Sequence, residues 1–310
     1  MSAPSPRSSH WVPVCCPANG TLTKRPSGMI AVIGGLLAAA CFSASLLAST
    51  RAARMIGALP TLGGVMLVST LIALPVAALT VGETRPTTDA LPYLLIAGAG
   101  NVFGLLFEYI GLRSGKVGLV GALAAAEGAV AAILSVIAGE ALGPLQGIGV
   151  AVVAVGVIFA ALGPDPDSPD AGAARRALVF GALAGLSFGA SLYSTGRIGS
   201  DLAVGWAILP PRIVGMALIV IPLVATRRLW ISRPALPFVV VAGAGEVGGF
   251  LAFAWAARDS IAVGSALAAQ FATVAAIVAW LVLGERLGRL QWAGVAGVAV
   301  GVVLLALGAT

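Results

Sequence analysis

The chain has 310 residues, of which 59% are hydrophobic and only 10% charged. Soluble domains carry about 25% charged residues, so a soluble globular fold is excluded. The net charge of +6 is spread over short loops, which suits anionic lipid headgroups and argues against nucleic acid as a partner.

Residues 1–27 are polar and rich in Pro and Ser, and read as a disordered N-terminal tail. Lys24-Arg25 leads into a span of full membrane length, unlike a clear signal peptide, and Met29 is an alternative start. Apolar stretches of about 20 residues then recur to the end, each long enough to cross a bilayer as a helix. The expected fold is all-α and membrane-embedded, with ten transmembrane helices near 28–49, 57–79, 91–111, 117–138, 146–163, 177–195, 203–225, 236–256, 261–283 and 292–309. Cys15, Cys16 and Cys41 lack metal-ligand spacing, and the lone histidine, His10, lies in the tail. Neither a disulfide framework, a metal site nor a cofactor is expected.

An internal repeat organises these spans. ALPYLLIAGAGNVFG at 90–104 aligns with ALPFVVVAGAGEVGG at 235–249, with nine of the fifteen positions identical. GEALGPLQ at 139–146 matches GERLGRLQ at 284–291 at the same offset of 145 (235 − 90), and Gly149/Gly294 and Gly156/Gly301 follow. Between these anchors the frame slips by one, where ALAA and VAAI in 122–133 match 266–277. Helices 1 and 6 correspond more weakly, through FSASL at 42–46 and FGASL at 188–192.

Each copy holds five helices, an odd number, so the second must enter the membrane from the opposite side. The expected architecture is therefore two inverted-topology repeats, 28–163 and 177–310, joined by a linker at 164–176. Secondary transporters built this way bind substrate near the midplane, between the halves. Basic residues agree. The odd loops carry Arg51, Arg54, Arg113, Lys116, Arg175, Arg176, Arg227, Arg228, Arg233, Arg286 and Arg289, against Arg85, Arg197 and Arg258 in the even loops. Taken literally, the positive-inside rule puts the odd loops in the cytoplasm and both termini outside.

The Gly-Glu closing the fourth helix of each copy, the Leu-x-x-Leu-Gln after it and the glycine-spaced last helix resemble the EamA-type branch of the drug/metabolite transporter superfamily. GERLGRLQWAGVAGVAVGVVLLALG at 284–308 carries the resemblance most strongly, and GEALGPLQGIGVAVVAVGVIFAALG at 139–163 next. The resemblance implies a secondary transporter in the cell membrane that moves small metabolites, often exporting amino acids or related compounds, by alternating access. A proton is one candidate coupling ion. It also implies cytoplasmic termini, against the charge count, so the side of the termini stays open here.

Ionisable groups at membrane depth are expensive, so they usually face a cavity or a partner. Glu108 falls in helix 3, Glu127 in helix 4, Arg212 in helix 7 and Glu246 in helix 8, with Asn101 and Gln270 as uncharged companions. Asn101 and Glu246 occupy equivalent places in the two copies, and Glu127 lies beside Ala126, the mate of Gln270. These six are the expected substrate-binding residues. The carboxylates would hold a substrate ammonium or a proton, Arg212 a substrate carboxylate, and Asn101 and Gln270 neutral hydrogen bonds. The alternative is a structural ion pair between Arg212 and Glu246 or Glu108. Glu108 is also close enough to a helix end to snorkel. Pro210-Pro211 should interrupt the helix 7 ladder, as a plain kink or a discontinuous helix. Glu140 and Glu285 sit at helix ends, where a carboxylate caps or pairs locally.

Two strings imitate soluble enzymes. Gly243-Ala244-Gly245-Glu246-Val247-Gly248 spells G-x-G-x-x-G, but it lies within an apolar span and lacks the acidic residue about 20 positions on. Gly185-Leu186-Ser187-Phe188-Gly189 spells G-x-S-x-G without a histidine base in the spans. Both are expected to be close-packing faces, like Gly297-x-x-x-Gly301. Tyr109, Tyr193, Trp206 and Trp255 are expected in the interfacial aromatic belt.

Overall fold

The computed structural model describes residues 28–83, 85–114, 117–162, 171–274, 277 and 289–308. The tail with its histidine and two cysteines, Lys116, Glu285 and Arg286 lie outside them. Among the described residues the chain is helical throughout, without a strand. The helices are α1 (Met29–Ile56), α2 (Ala58–Thr80), α3 (Leu91–Ser114), α4 (Val117–Ala125), α5 (Glu127–Ile137) and α6 (Pro144–Leu162). They continue as α7 (Ala171–Asp201), α8 (Val204–Gly215), α9 (Ile221–Ala225), α10 (Leu236–Ala257), α11 (Ile261–Ala268) and α12 (Arg289–Gly308).

In hydrocarbon a segment must satisfy its backbone internally, and the helix does so locally. Five segments here are long and apolar enough to cross a membrane: Met29–Ile56, Ala58–Thr80, Thr88–Arg113, Val204–Ala225 and Leu236–Ala257. Four threonine hydroxyls in these segments are satisfied in the same way. Thr50, Thr61, Thr70 and Thr80 each donate to the carbonyl four residues earlier, at 2.6–2.9 Å.

Three elements depart from the sequence expectation. The fourth span is broken at Ala126, whose N–H reaches back only three residues, to Leu123 O at 3.2 Å. The ninth breaks at the equivalent place, where Gln270 N–H bonds Leu267 O at 3.0 Å. Prolines do not cause these breaks. The two broken segments pack on each other, and a Cβ on Gly128 would lie 2.5 Å from Ala269 Cβ and 2.7 Å from Ser265 O. By contrast α8 runs through Pro210 and Pro211, and the irregularity follows as a π-turn at Met216–Val220. Finally, α7 begins at Ala171, so it takes up the second half of the expected linker. Ala171-Gly-Ala-Ala-Arg-Arg is mostly strong helix former and extends the apolar helix outward.

Helix contacts follow an exchange rule. The most extensive interfaces pair α1 with α10, α3 with α7 and α6 with α12, with α2 on α8 and α5 on α11. By the sequence repeat, α1 corresponds to α7, α3 to α10, α2 to α8 and α6 to α12. Swapping the two halves therefore maps α1/α10 onto α7/α3 and maps α2/α8 and α6/α12 onto themselves. The fine contacts obey the same rule. A Cβ on Gly100 would meet Ser187 O and Ser191, and one on Gly245 would meet Cys41 O and Ser45. Gly104 abuts the Phe188 ring, and Gly249 the Phe42 ring.

The G-x-G-x-x-G string thus seats α10 against α1. Gly245 leaves only 2.6 Å from a Cβ to the Cys41 backbone oxygen, whereas Gly248 meets a side-chain sulfur at 3.2 Å. Gly245→Ala is expected to cost about 1–3 kcal/mol, the usual range for overpacking, and Gly248→Ala much less. Thermal unfolding of the purified variants checks this; equal losses would remove the role assigned to Gly245. The G-x-S-x-G string does the same on α7, where a Cβ on Gly185 would lie 2.3 Å from Leu123 O at the α4/α5 break. On α12, a Cβ on Gly297 would lie 3.4 Å from Gly156 Cα.

Candidate functional site

Four charged side chains are buried among the described residues: Glu108, Glu127, Arg212 and Glu246, each no more than 5% exposed. The three carboxylates line one cavity together with Asn101. Four rings complete its wall, Phe42, Phe188, Phe250 and Phe271, along with Ser45/Leu46 and their mates Ser191/Leu192. The lining comes from α1, α3, α5, α7, α10 and the segment after α11, and the polar positions have local reasons to be there. Glu127 opens α5 at the break, where its carboxylate faces the positive end of a helix dipole. Glu246 follows Gly245, which brings α10 onto α1. Asn101 follows Gly100, which brings α3 onto α7, and Ser191 on that helix ties the pair by donating to Ala97 O at 2.7 Å.

Asn101 and Glu246 are repeat mates, and they touch: Asn101 Nδ2 donates to Glu246 Oε2 at 3.4 Å. The cavity is thus lined where a residue of the first sequence copy meets its counterpart in the second. Phe42/Phe188, Ser45/Ser191, Leu46/Leu192 and Glu127/Phe271 are also mates, so nearly the whole wall is drawn twice from the repeat. The charges break this symmetry, because Glu127 stands opposite a phenylalanine.

The cavity is narrow, about 30 Å³, enough for a water or two and too small for a metabolite. A wider cleft of about 290 Å³ opens at one end of the bundle, lined by Glu140, Tyr193, Arg197, Asp259 and Ser260 among others. Ala38, Ala131, Leu192, Phe253, Ala257 and Ile261 form an apolar cluster with Phe42 and Tyr193 packed against it. Leu192 and Phe42 line the cavity, while Tyr193, Ala257 and Ile261 line the cleft. One apolar layer therefore separates the two spaces.

Glu140 bridges the broad end of that layer. It accepts from Ser260 Oγ at 2.5 Å and from Ala262 N–H at 3.2–3.3 Å, capping α11 across the two halves. Asp259 similarly accepts from Ala31 N–H, near the start of α1, at 3.4 Å.

Two expected site residues are placed elsewhere. Arg212 is off the cavity wall. Its guanidinium lies 4.0 Å from Glu246 Oε2 and 5.4 Å from the centre of the Phe250 ring, and its nitrogens have no hydrogen-bond partner among the described residues. It is the buried counter-ion of Glu246, the structural alternative that the sequence left open. Gln270 also does not line the cavity; its Nε2 donates to Ala266 O at 2.8 Å. Glu108 does not snorkel. It is buried more than a turn before the end of α3, on the cavity wall. Tyr109 is fully buried, away from any interfacial belt, whereas Trp255 is 41% exposed.

The lining phenylalanines and serines carry no charge, so the cost of burying ionisable groups does not mark them in the sequence. The signal was present nonetheless, because Phe42, Ser45 and Leu46 with Phe188, Ser191 and Leu192 are the identities that the two copies keep in their most divergent helices.

Comparison with known proteins bears on this site. No match was found among the curated proteins. A solved crystal structure matches over 90% of this chain and 97% of its own, with a TM-score of 0.71 at 15% sequence identity; at that identity the likeness concerns the fold alone. The family model for the EamA-like transporter family matches residues 29–162. With its apolar helices, the chain is a multi-pass membrane protein, and through residues 29–162 it is similar to that family, a branch of the drug/metabolite transporter superfamily.

Proposed function

We propose that this protein is a secondary transporter of the cell membrane that exports a small polar, amino-acid-like metabolite by alternating access. In this reading the ten expected spans form two inverted repeats, 28–163 and 177–310, and Glu108, Glu127, Glu246 and Asn101 hold the substrate amine. The observation that carries it is the cavity, where three buried carboxylates meet at the contact between repeat mates. The exchange rule in the helix contacts supports a repeat of five, and an odd repeat implies inversion. The broken spans beside Glu127 and Gln270 support the same reading, since discontinuous helices mark transporter sites. A space too small for a metabolite, next to a wider cleft, fits a closed state of a site that enlarges on opening. A non-transporting scaffold or lipid-binding subunit would pair its buried polar groups completely, whereas Asn101 Oδ1 and the Arg212 nitrogens have no hydrogen-bond partner among the described residues.

The test is a transport screen in proteoliposomes, with and without a pH gradient. Uptake or efflux of at least one metabolite, faster with the gradient and lost in Glu127→Gln, is the expected result. Transport of an identified substrate that is indifferent to Glu127→Gln would remove this residue from the site.

A further inference from the structure

We infer that the corner of the bundle where α1 ends and α10 begins binds the headgroup of an anionic phospholipid, held by the arginines of the loop between α9 and α10. This site lies on the outer surface and does not depend on what the cavity carries. Charge is the first argument. Ser45 of α1 packs on Gly245 of α10, and Gly34 on Ala256, so the two helices run antiparallel. The end of α1, with exposed Arg51 and Arg54, therefore comes to the start of α10, which follows exposed Arg227, Arg228 and Arg233. None of these five is paired with an acidic side chain among the described residues. Neither 50–64 nor 225–240 contains an Asp or Glu. Glu140 and Asp259 stand at the other end, where Asp259 meets the start of α1. A basic cluster beside a membrane-spanning segment attracts anionic lipid, and a guanidinium grips a phosphate through two parallel hydrogen bonds.

The loop that carries three of these arginines is the second argument, because its backbone is fixed. After Ala225 the chain closes a Schellman turn, with Arg228 N–H on Leu223 O at 2.8 Å and Arg227 N–H on Val224 O at 3.0 Å. Arg227 occupies the left-handed position of that turn, with φ 54°, where glycine would avoid the steric cost. Side chains then alternate. Leu229 and Ile231 lock the loop onto α2, where a Cβ on Gly63 or Gly64 would lie 2.8 or 2.9 Å from them. Trp230, between these two, is turned outward and 55% exposed. Ile221 and Val224 before the loop and Leu236 after it are exposed as well, so apolar surface reaches the loop from both sides. The arginines follow that apolar border within a turn, which puts them at headgroup level, and Trp230 is the residue type that anchors there. A patch meant for a soluble anion would need neither the apolar border nor the tryptophan.

The test titrates the full chain, purified and delipidated, with phosphatidylglycerol or phosphatidylcholine and counts bound lipid by native mass spectrometry. Phosphatidylglycerol should bind more tightly, and its affinity should fall about fivefold for each arginine removed in Arg227→Gln and Arg228→Gln. Arg85→Gln with Arg258→Gln, an equal loss of charge at the other end of the bundle, should leave that affinity unchanged. Arg227→Gly separates binding from folding. It relieves the left-handed residue, so thermal stability in phosphatidylcholine nanodiscs should hold or rise while phosphatidylglycerol affinity still falls. Brominated phosphatidylglycerol should quench the fluorescence of the native chain by a larger fraction than that of Trp230→Phe. Soluble glycerophosphoglycerol, which has the headgroup without acyl chains, should not compete at equal concentration; if it does, the site takes free phosphate esters and the lipid assignment is overturned. Equal binding of the two lipids, or equal weakening by the two double variants, would overturn the site and leave the transporter reading standing.

Discussion

Glu246→Gln is expected to reduce transport to background and to destabilise the protein, and the two effects separate in a double variant. Glu246 serves two neighbours at once, as counter-ion to Arg212 at 4.0 Å and as acceptor for Asn101 at 3.4 Å, while also facing the cavity. Glutamine keeps the shape and the bond to Asn101 but leaves Arg212 charged and alone. Breaking a buried pair by removing one partner costs roughly 3–5 kcal/mol, whereas replacing both partners by apolar groups is often neutral. Glu246→Gln combined with Arg212→Met should therefore recover much of the thermal stability lost in Glu246→Gln. Transport should not recover, since the cavity still lacks the carboxylate. A double variant that is stable and also transports at the original rate would show Glu246 to be a structural ion and would remove it from the site. A double variant as unstable as Glu246→Gln would mean that the long 4.0 Å contact is not what holds Glu246 in place.

The parts of this arrangement that the sequence announces are those written twice. The repeat locates the helices, pairs Asn101 with Glu246, and marks Phe42, Ser45, Phe188 and Ser191 through their persistence in both copies. Glycines such as Gly100 and Gly245 were legible as packing faces for the same reason. What the sequence could not tell was which way Arg212 and Gln270 point. A soluble helix betrays its inner side by a polar stripe. These helices are apolar all round, so their rotation about the axis is set by packing alone, and an ionisable residue identifies its depth without its direction. The breaks at Ala126 and Gln270 were hidden for a related reason. Neither carries a proline; each is irregular because the other packs into it, through Gly128 against Ala269. Glu108 was obscured by the opposite effect, a position close enough to a helix end to suggest an escape to the interface that the fold does not allow.

Glu140→Ala is expected to open the end of the bundle that carries the wider cleft. Its carboxylate is held by Ser260 Oγ and Ala262 N–H, so the end of α5, from the first half, is fixed to the start of α11, from the second. Hydrogen bonds to a charged group contribute roughly 1.5–3 kcal/mol, and the favourable end of the α11 dipole adds to them. At about 1.4 kcal/mol per factor of ten, losing these bonds should raise the open population by about tenfold or more. Beneath the contact lies the apolar layer of Ala38, Ala131, Leu192 and Phe253, which water must cross to reach Glu127. A cysteine placed at Ala131, which is fully buried, in a chain freed of its three native cysteines, reports that crossing through its rate of alkylation by a water-soluble maleimide. The rate should rise in Glu140→Ala by the same factor as the open population. Ser260→Ala should raise it less, because the Ala262 N–H still holds the carboxylate. An unchanged rate in Glu140→Ala, with thermal stability lowered, would make Glu140 a cap of α11 and place the gate wholly in the apolar layer.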